Sequence, residues 1–191
     1  MARHGETDWN RESRFQGHAD TTLNEAGRQQ ARALAERLRT EQIEAVYTSP
    51  LLRARETAEI VASVLGLPVE AVEGLQEVDV GTWSGLTRGE IEQRFPDGFR
   101  RWLEFEHGWD GGESYENLGT RVLAVLVELA SHHPGERVLV VTHGGPMRAA
   151  LAAADSVSYA AARRVGEPVG NCDVAVFRLE DERLRRLDSA L

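Results

Sequence analysis

Two hydrophobic rhythms take turns along this chain, apolar stripes at helical spacing and short unbroken apolar runs, and their alternation predicts helices set between buried strands. From Asn24 to Thr40, Ala31, Leu34, Ala35 and Leu38 recur at i, i+3, i+4 and i+7, one buried face of an amphipathic helix whose Glu, Arg and Gln residues form the solvated side. Ala45-Val46-Tyr47 is a β-prone run within Glu44–Thr48, and it ends at Ser49-Pro50. Serine as N-cap with proline at the first helical position predicts a helix start there. That helix continues through Leu51, Ala54, Ala58, Val61, Ala62 and Leu65 to Gly66, which suits the residue just past a helix end. A weaker strand covers Val69–Val72, and Thr87-Arg88-Gly89-Glu90 is a capping box that opens another helix. Ser114 opens a helix with the stripe Leu118, Val122, Val125, Leu126 and Leu129, which stops near His133-Pro134-Gly135. Arg137–Thr142 is the strongest strand, its unbroken apolar run implying burial on both faces, as in a parallel sheet.

An alanine-rich helical region follows His143, and the chain closes with a hairpin, Asp173–Leu179 and Arg183–Leu187, around Glu180-Asp181-Glu182. Strands alternating with helices place the chain in the α/β class: a single three-layer domain over residues 1–191, with a mostly parallel central sheet, helices on both faces and the hairpin as an antiparallel edge. The remaining stretches read as loops. Asn10–Asp20 is polar and irregular, Glu77–Gly85 is punctuated by glycine, and Phe95–Gly112 is aromatic and irregular, with Phe99, Trp102, Phe105 and Trp109. Residues 86–115 are therefore expected to form a lid or cap.

Composition narrows the picture. With 191 residues, 41% hydrophobic and 28% charged, the chain can build one domain with a substantial core. A formal net charge of -9 argues against nucleic acid or an anionic membrane as partner, so an anionic ligand needs a local basic pocket. The single cysteine, Cys172, reads as a buried small hydrophobe, and with no intrachain disulfide available a cytoplasmic location is expected. No apolar run reaches the length of a membrane span, and no signal-peptide core opens the chain. Oligomeric state is left open, with a homodimer compatible.

The candidate chemistry begins at Arg3-His4-Gly5-Glu6-Thr7, where a fixed cation stands beside a nucleophile-capable imidazole and a glycine allows close backbone approach to a ligand. Thr142-His143-Gly144 adds a second imidazole just beyond the best strand. Arg53 falls in the first turn of a helix that follows a strand, and such junctions are where open α/β sheets bind ligands. Arg3-His4-Gly5-Glu6-Thr7, Ser49-Pro50-Leu51-Leu52-Arg53-Ala54, Glu77 with Gly81 and Gly85, and Thr142-His143-Gly144 together resemble the histidine phosphatase superfamily, the phosphoglycerate-mutase-like group, in that family's order and over nearly the whole chain.

The resemblance implies a small phosphorylated metabolite as partner and no cofactor. His4 would be the nucleophile, forming a phosphohistidine; Arg3 and Arg53 would clamp the phosphoryl oxygens with planar donor forks. His143 would supply a further donor, Gly144 a backbone N–H, and Asn10 a donor from the opening loop. Glu77 would protonate the departing alkoxide and then activate water, with Asp79 as the competing carboxylate. Trp9, Glu12, Phe15, Gln16 and Trp102 are expected at the rim, where they would select the substrate. His107, His132 and His133 read as ordinary surface or core histidines, while His18 is divided between pocket rim and solvated loop. The histidine spacings match no metal-ligand pattern and the arginines would repel a cation, so no metal is expected.

Two forks remain. Phosphoryl return to a second hydroxyl, as in the mutases, would need the phosphohistidine sheltered by an insertion between the acid and second-histidine motifs; Glu77 and His143 are close in sequence, and Glu77–Gly85 resembles the phosphatase form, so phosphomonoester hydrolysis leads. A catalytically impaired binding or regulatory member is the other alternative, against which every matched position holds a competent residue. The family also sets a hydrophobic strand before Arg-His-Gly, whereas this chain has only Met1-Ala2 there. The first strand is thus expected to be truncated: a stub, a trimmed start, or a strand replaced by another segment.

Overall fold

In the computed structural model, which describes residues 1–166, 169–180 and 183–187, three of the four sheet strands end at one level, and the residue after each points to the same place. The strands are β1 (Ala2–Arg3), β2 (Ile43–Thr48), β3 (Val69–Ala71) and β4 (Arg137–Thr142), all parallel, in the order β1-β4-β2-β3. Arg3 pairs with Thr142 and Thr48 with Val141, so the chain leaves β1, β4 and β2 almost side by side at His4, His143 and Ser49.

Side-chain alternation divides the core between two faces. Val46, Leu139 and Val141 pack with Ala31, Leu34, Leu38, Ala58 and Val61 from α2 (Glu25–Leu38) and α3 (Leu52–Leu65). Tyr47 and Val140 turn the other way, toward Leu118, Val122, Leu126 and Ala150 from α6 (Tyr115–His132) and α7 (Gly144–Ala154). Helices therefore cover both faces, as the periodicity predicts. Asn24, Thr87 and Ser114 cap α2, α4 (Arg88–Arg94) and α6, and Gly66 ends α3 in the left-handed conformation.

The structure departs from the sequence reading in four places. Ser49-Pro50 does not start α3: the helix begins at Leu52 with Leu51 before it, and the Ser49 hydroxyl is engaged by His143 and by the Leu51 N–H instead. A four-residue helix, α1 (Asp8–Arg11), stands at the start of what reads as loop, made by a Thr7/Asn10 capping box. Part of the aromatic stretch is helical, α5 (Pro96–Leu103), with proline at its first position. The closing hairpin, β5 (Val176–Glu180) and β6 (Arg183–Leu187), forms its own two-stranded sheet rather than an edge of the main one; its turn at Asp181-Glu182 lies outside the described residues.

β1 is a two-residue stub, but its backbone is paired on both sides. β4 lies on one side, and residues 172–175 run antiparallel along the other: Arg3 N–H donates to Asp173 O at 3.1 Å, Ala175 N–H to Met1 O at 2.9 Å and Cys172 N–H to Arg3 O at 3.1 Å. Although β1 stands at the end of the four-stranded sheet, its ladder groups are thus met on both sides. A final helix, α8 (Tyr159–Val165), connects α7 to that returning segment. Among the described residues no helix is long and apolar enough to cross a membrane.

Candidate active site

His4, Arg53 and His143 are buried almost completely, at 2%, 1% and 0% exposure, which for polar groups demands a reason in their partners. The His4 and His143 rings lie 5.2 Å apart, centroid to centroid. His4 Nδ1 stands 2.7 Å from the Gly5 carbonyl, and since a carbonyl only accepts, Nδ1 carries the proton and Nε2 keeps its lone pair. His143 Nε2 meets Ser49 Oγ at 2.7 Å.

Arg53 is set beside His4 by α3. Thr57 Oγ1 accepts the Gly5 N–H at 3.0 Å and donates to the Arg53 carbonyl at 2.7 Å, tying the helix to the loop after β1. The Arg53 guanidinium donates to the Ala19 and Gly17 carbonyls, both at 2.8 Å, and Arg3 donates to the Val169 carbonyl. That leaves Arg3 Nε, Arg53 Nε and His143 Nδ1 buried without a hydrogen-bond partner among the described residues. Three orphaned polar atoms around one imidazole suit an anion with several oxygens.

Opposite stands Glu77. Its Oε1 accepts the Gly145 N–H at 3.0 Å and the Val78 N–H at 2.9 Å, and Oε2 takes no part in either bond. The Glu77 backbone is pinned by Arg121 from α6, which donates to the Gly74, Gln76 and Glu77 carbonyls and is itself paired with Glu113 at 2.7 Å. His18 adds a bond to the Glu77 carbonyl at 2.9 Å from an exposed position. Asp79 caps Gly81 through a 2.9 Å bond and takes no part in the cleft wall.

The cleft of about 400 Å³ over these groups is lined by Arg3, His4, Asn10, Phe15, Gln16, Arg53, Glu77, Gly144 and Trp102, all singled out in the sequence. Asn10 commits its Oδ1 to the Thr7 N–H, leaving its Nδ2 as the donor. Trp9 is set apart from them, half-buried against Gly85 rather than on the cleft wall. Glu12 is exposed and paired with Arg14. Phe15 and Trp102 pack edge-on to each other and to the fully buried Trp83. Sequence reasoning missed Arg88, Arg148, Arg163, Tyr115 and Tyr159 on the wall, and Arg121 behind it.

Burial first, then the Arg53 and Arg3 charges, hold His4 well below the ordinary imidazole value of 6.5. His143 is lowered too, by burial and by Arg53, His4 and Arg3. Both rings are therefore neutral at neutral pH, as a nucleophile requires. As pH falls through 6.5 the unfolded chain takes up protons that the folded rings refuse, so their contribution to stability is complete above that value and is lost toward acid. The melting temperature should drop between about pH 7 and about pH 5, and less steeply for His143→Gln; identical slopes would contradict this assignment.

Gly145 allows the Glu77 contact, because a methyl group at its Cα would overlap Glu77 Oε1. Gly145→Ala should push the carboxylate aside and lower kcat by about 100-fold with the fold intact, since displacement by about 1 Å is enough for such a loss. An alanine variant with unchanged kcat would remove Glu77 from the chemistry.

Comparisons with known proteins converge. A family model described as histidine phosphatase superfamily (branch 1) matches residues 1–189. The chain is 42% identical to phosphoglycerate mutase-like protein 4 of Arabidopsis thaliana, over 95% of this chain and 79% of that protein. It is 36% identical to phosphoserine phosphatase 1 of Hydrogenobacter thermophilus, over 96% and 87%. The solved structure of a mycobacterial glucosyl-3-phosphoglycerate phosphatase with VO3 superposes with a TM-score of 0.87 at 33% identity, covering 98% of this chain and 94% of that one.

Proposed function

The chain belongs to the histidine phosphatase superfamily (branch 1), and from that membership we propose that it is a metal-independent phosphomonoesterase acting on small phosphorylated metabolites through a phosphohistidine on His4. One observation carries the reading: a neutral imidazole with its Nδ1 proton fixed on Gly5, standing among guanidinium and imidazole N–H groups that have no hydrogen-bond partner among the described residues.

The step follows from those positions. His4 Nε2 gives its lone pair to phosphorus as the bond to the ester oxygen breaks. Glu77 Oε2 hands its proton to that oxygen and the alcohol leaves. Water then attacks the phosphohistidine, Glu77 takes its proton, and inorganic phosphate departs with His4 restored. Arg3 Nε, Arg53 Nε and His143 Nδ1 supply charge-assisted bonds to the equatorial oxygens, where charge is greatest in the transition state.

Residues 86–115 act as the cap in this reading: Arg88, Trp102, Trp109 and Tyr115 reach the cleft from it, and the backbones of Gly98 and Gly108 meet so closely that neither tolerates a Cβ. The lone buried Cys172 fits a reducing, cytoplasmic setting. Relatives named as phosphatases favour hydrolysis over phosphoryl return.

The test is phosphate release from p-nitrophenyl phosphate with and without EDTA. Release that chelator leaves unchanged is expected; loss with EDTA and recovery with a divalent metal would overturn the mechanism. With 3-phosphoglycerate and a bisphosphoglycerate primer, isomer interconversion faster than phosphate release would turn the reading to a mutase.

A further inference from the structure

Glu77, the acid of the proposed step, stands on neither strand nor helix but between two short helical turns, Glu73–Leu75 and Gly81–Trp83. A carboxyl on such a segment keeps its place only as well as the segment does, and a displacement of about 1 Å is enough to lose about 100-fold in rate. Four consecutive carbonyls of the segment accept from side chains. Thr142 Oγ1, at the end of β4, donates to Leu75 at 2.6 Å. Arg121 on α6 takes the other three, Gly74 at 3.0 Å, Gln76 at 2.9 Å and Glu77 at 3.0 Å.

The Arg121 guanidinium has no donor to spare. Its Nη1 serves Gly74 and Gln76, its Nη2 serves Glu77 and Glu113 Oε2, and its Nε meets Glu113 Oε1, both bonds to Glu113 being 2.7 Å. All five N–H groups of a planar fork are thus engaged, which fixes the fork in place. The Glu113 end of this arrangement belongs to the cap. Glu113 N–H donates to the Asp79 carbonyl at 2.8 Å, and the Glu113 carbonyl accepts the indole N–H of Trp109, a residue of the cleft wall, at 2.9 Å. A Cβ on Gly112 would overlap the Asp79 carbonyl, so the cap returns to α6 in close contact with the segment that carries the acid. A chain of hydrogen bonds therefore runs from Trp109 through Glu113 and Arg121 to the Glu77 backbone.

We propose that Arg121, oriented by Glu113, is a positioning residue for proton transfer: it holds the Glu77 carboxyl over the leaving oxygen and ties that placement to the seating of the cap. The proposal rests on the phosphatase reading above, in which Glu77 is the acid. A lysine keeps the charge but offers its donors from a single point, and cannot hold three carbonyls and a carboxylate together.

Proton donation matters most when the leaving oxygen is basic, and that separates positioning from mere support of the fold. Phenyl phosphate and p-nitrophenyl phosphate share a ring, but phenolate is the more basic leaving group: phenol, like a tyrosine side chain, ionises at about pH 10, and the nitro group lowers that value. Arg121→Lys should lower kcat/KM about tenfold more for phenyl phosphate than for p-nitrophenyl phosphate, and Glu113→Gln should shift the ratio the same way by less. Glu77→Gln should shift it at least as far as Arg121→Lys, and the two together should shift it no further than Glu77→Gln alone. The ratio is taken within one preparation, so partial misfolding cancels. Equal losses of Arg121→Lys on both esters, or a further shift in the double variant, overturn the positioning role; a Glu113→Gln variant with the wild-type ratio overturns the tie to the cap. The phosphatase reading fails by different results: no phosphate released from either ester by the wild type, or a Glu77→Gln variant that keeps the wild-type ratio.

Discussion

His4→Ala should lower kcat on p-nitrophenyl phosphate by at least about 10³-fold, because in the proposed mechanism His4 supplies the electron pair that forms the phosphohistidine. The fixed tautomer matters as much as the ring. With Nδ1 held on the Gly5 carbonyl, Nε2 is the nitrogen open to phosphorus, and burial beside Arg53 and Arg3 keeps it unprotonated. Acid-labile label from a ³²P-ester should appear on wild-type protein quenched during turnover and be absent from the variant. His4→Gln serves as a second variant that can still donate to the Gly5 carbonyl, guarding against a folding defect. Activity retained within about tenfold in both would remove His4 from the nucleophile's role.

Arg53→Lys should cost about 10²- to 10³-fold in kcat/KM, a large loss for a substitution that keeps the charge. Arg53 makes two kinds of contact with one planar group: its terminal nitrogens hold the Gly17 and Ala19 carbonyls, and its buried Nε–H is left for the phosphoryl oxygens. Burial lowers its pKa to about 10, which still leaves it charged at neutral pH. A lysine ammonium reaches one of these places but not both. Arg53→Ala should in addition destabilise the fold by about 3 kcal/mol, from the cavity and the two carbonyls left unpaired. Thermal melts and vanadate binding separate the effects: the lysine variant should melt near the wild type yet bind vanadate weakly. A lysine variant with wild-type kcat/KM would show that Arg53 only supports the loop.

The inner site was readable because it follows the strands. A residue just past an apolar run is located by that run, as His143 and Arg53 are, whereas His4 follows only Met1-Ala2-Arg3 and was found by its Arg-His-Gly motif. The outer wall had no such marker. Arg163 lies in the last turn of α8, where a cation ordinarily faces solvent and the helix dipole, and Arg88 in the first turn of α4. Arg148 could have been found, since it falls four residues after Gly144 and so on the same helix face. Arg121 was hidden among polar positions of α6 because, Glu113 apart, its partners are backbone carbonyls, which leave no trace in side-chain pattern. Ser49 misled for the opposite reason: its N-cap chemistry is real, but His143 claims the hydroxyl.

The two-residue first strand, clasped between β4 and residues 172–175, has a consequence for how activity is acquired. Both of its neighbours come from the distant end of the sequence, so the loop closed by this pairing spans most of the chain. Such long-range closures are entropically the most expensive contacts and among the slowest to form. A refolding molecule can complete β2 and α3 locally and still hold His4 away from His143. Turnover therefore reports the joining of the two ends of the chain, and regained helix content alone does not restore it.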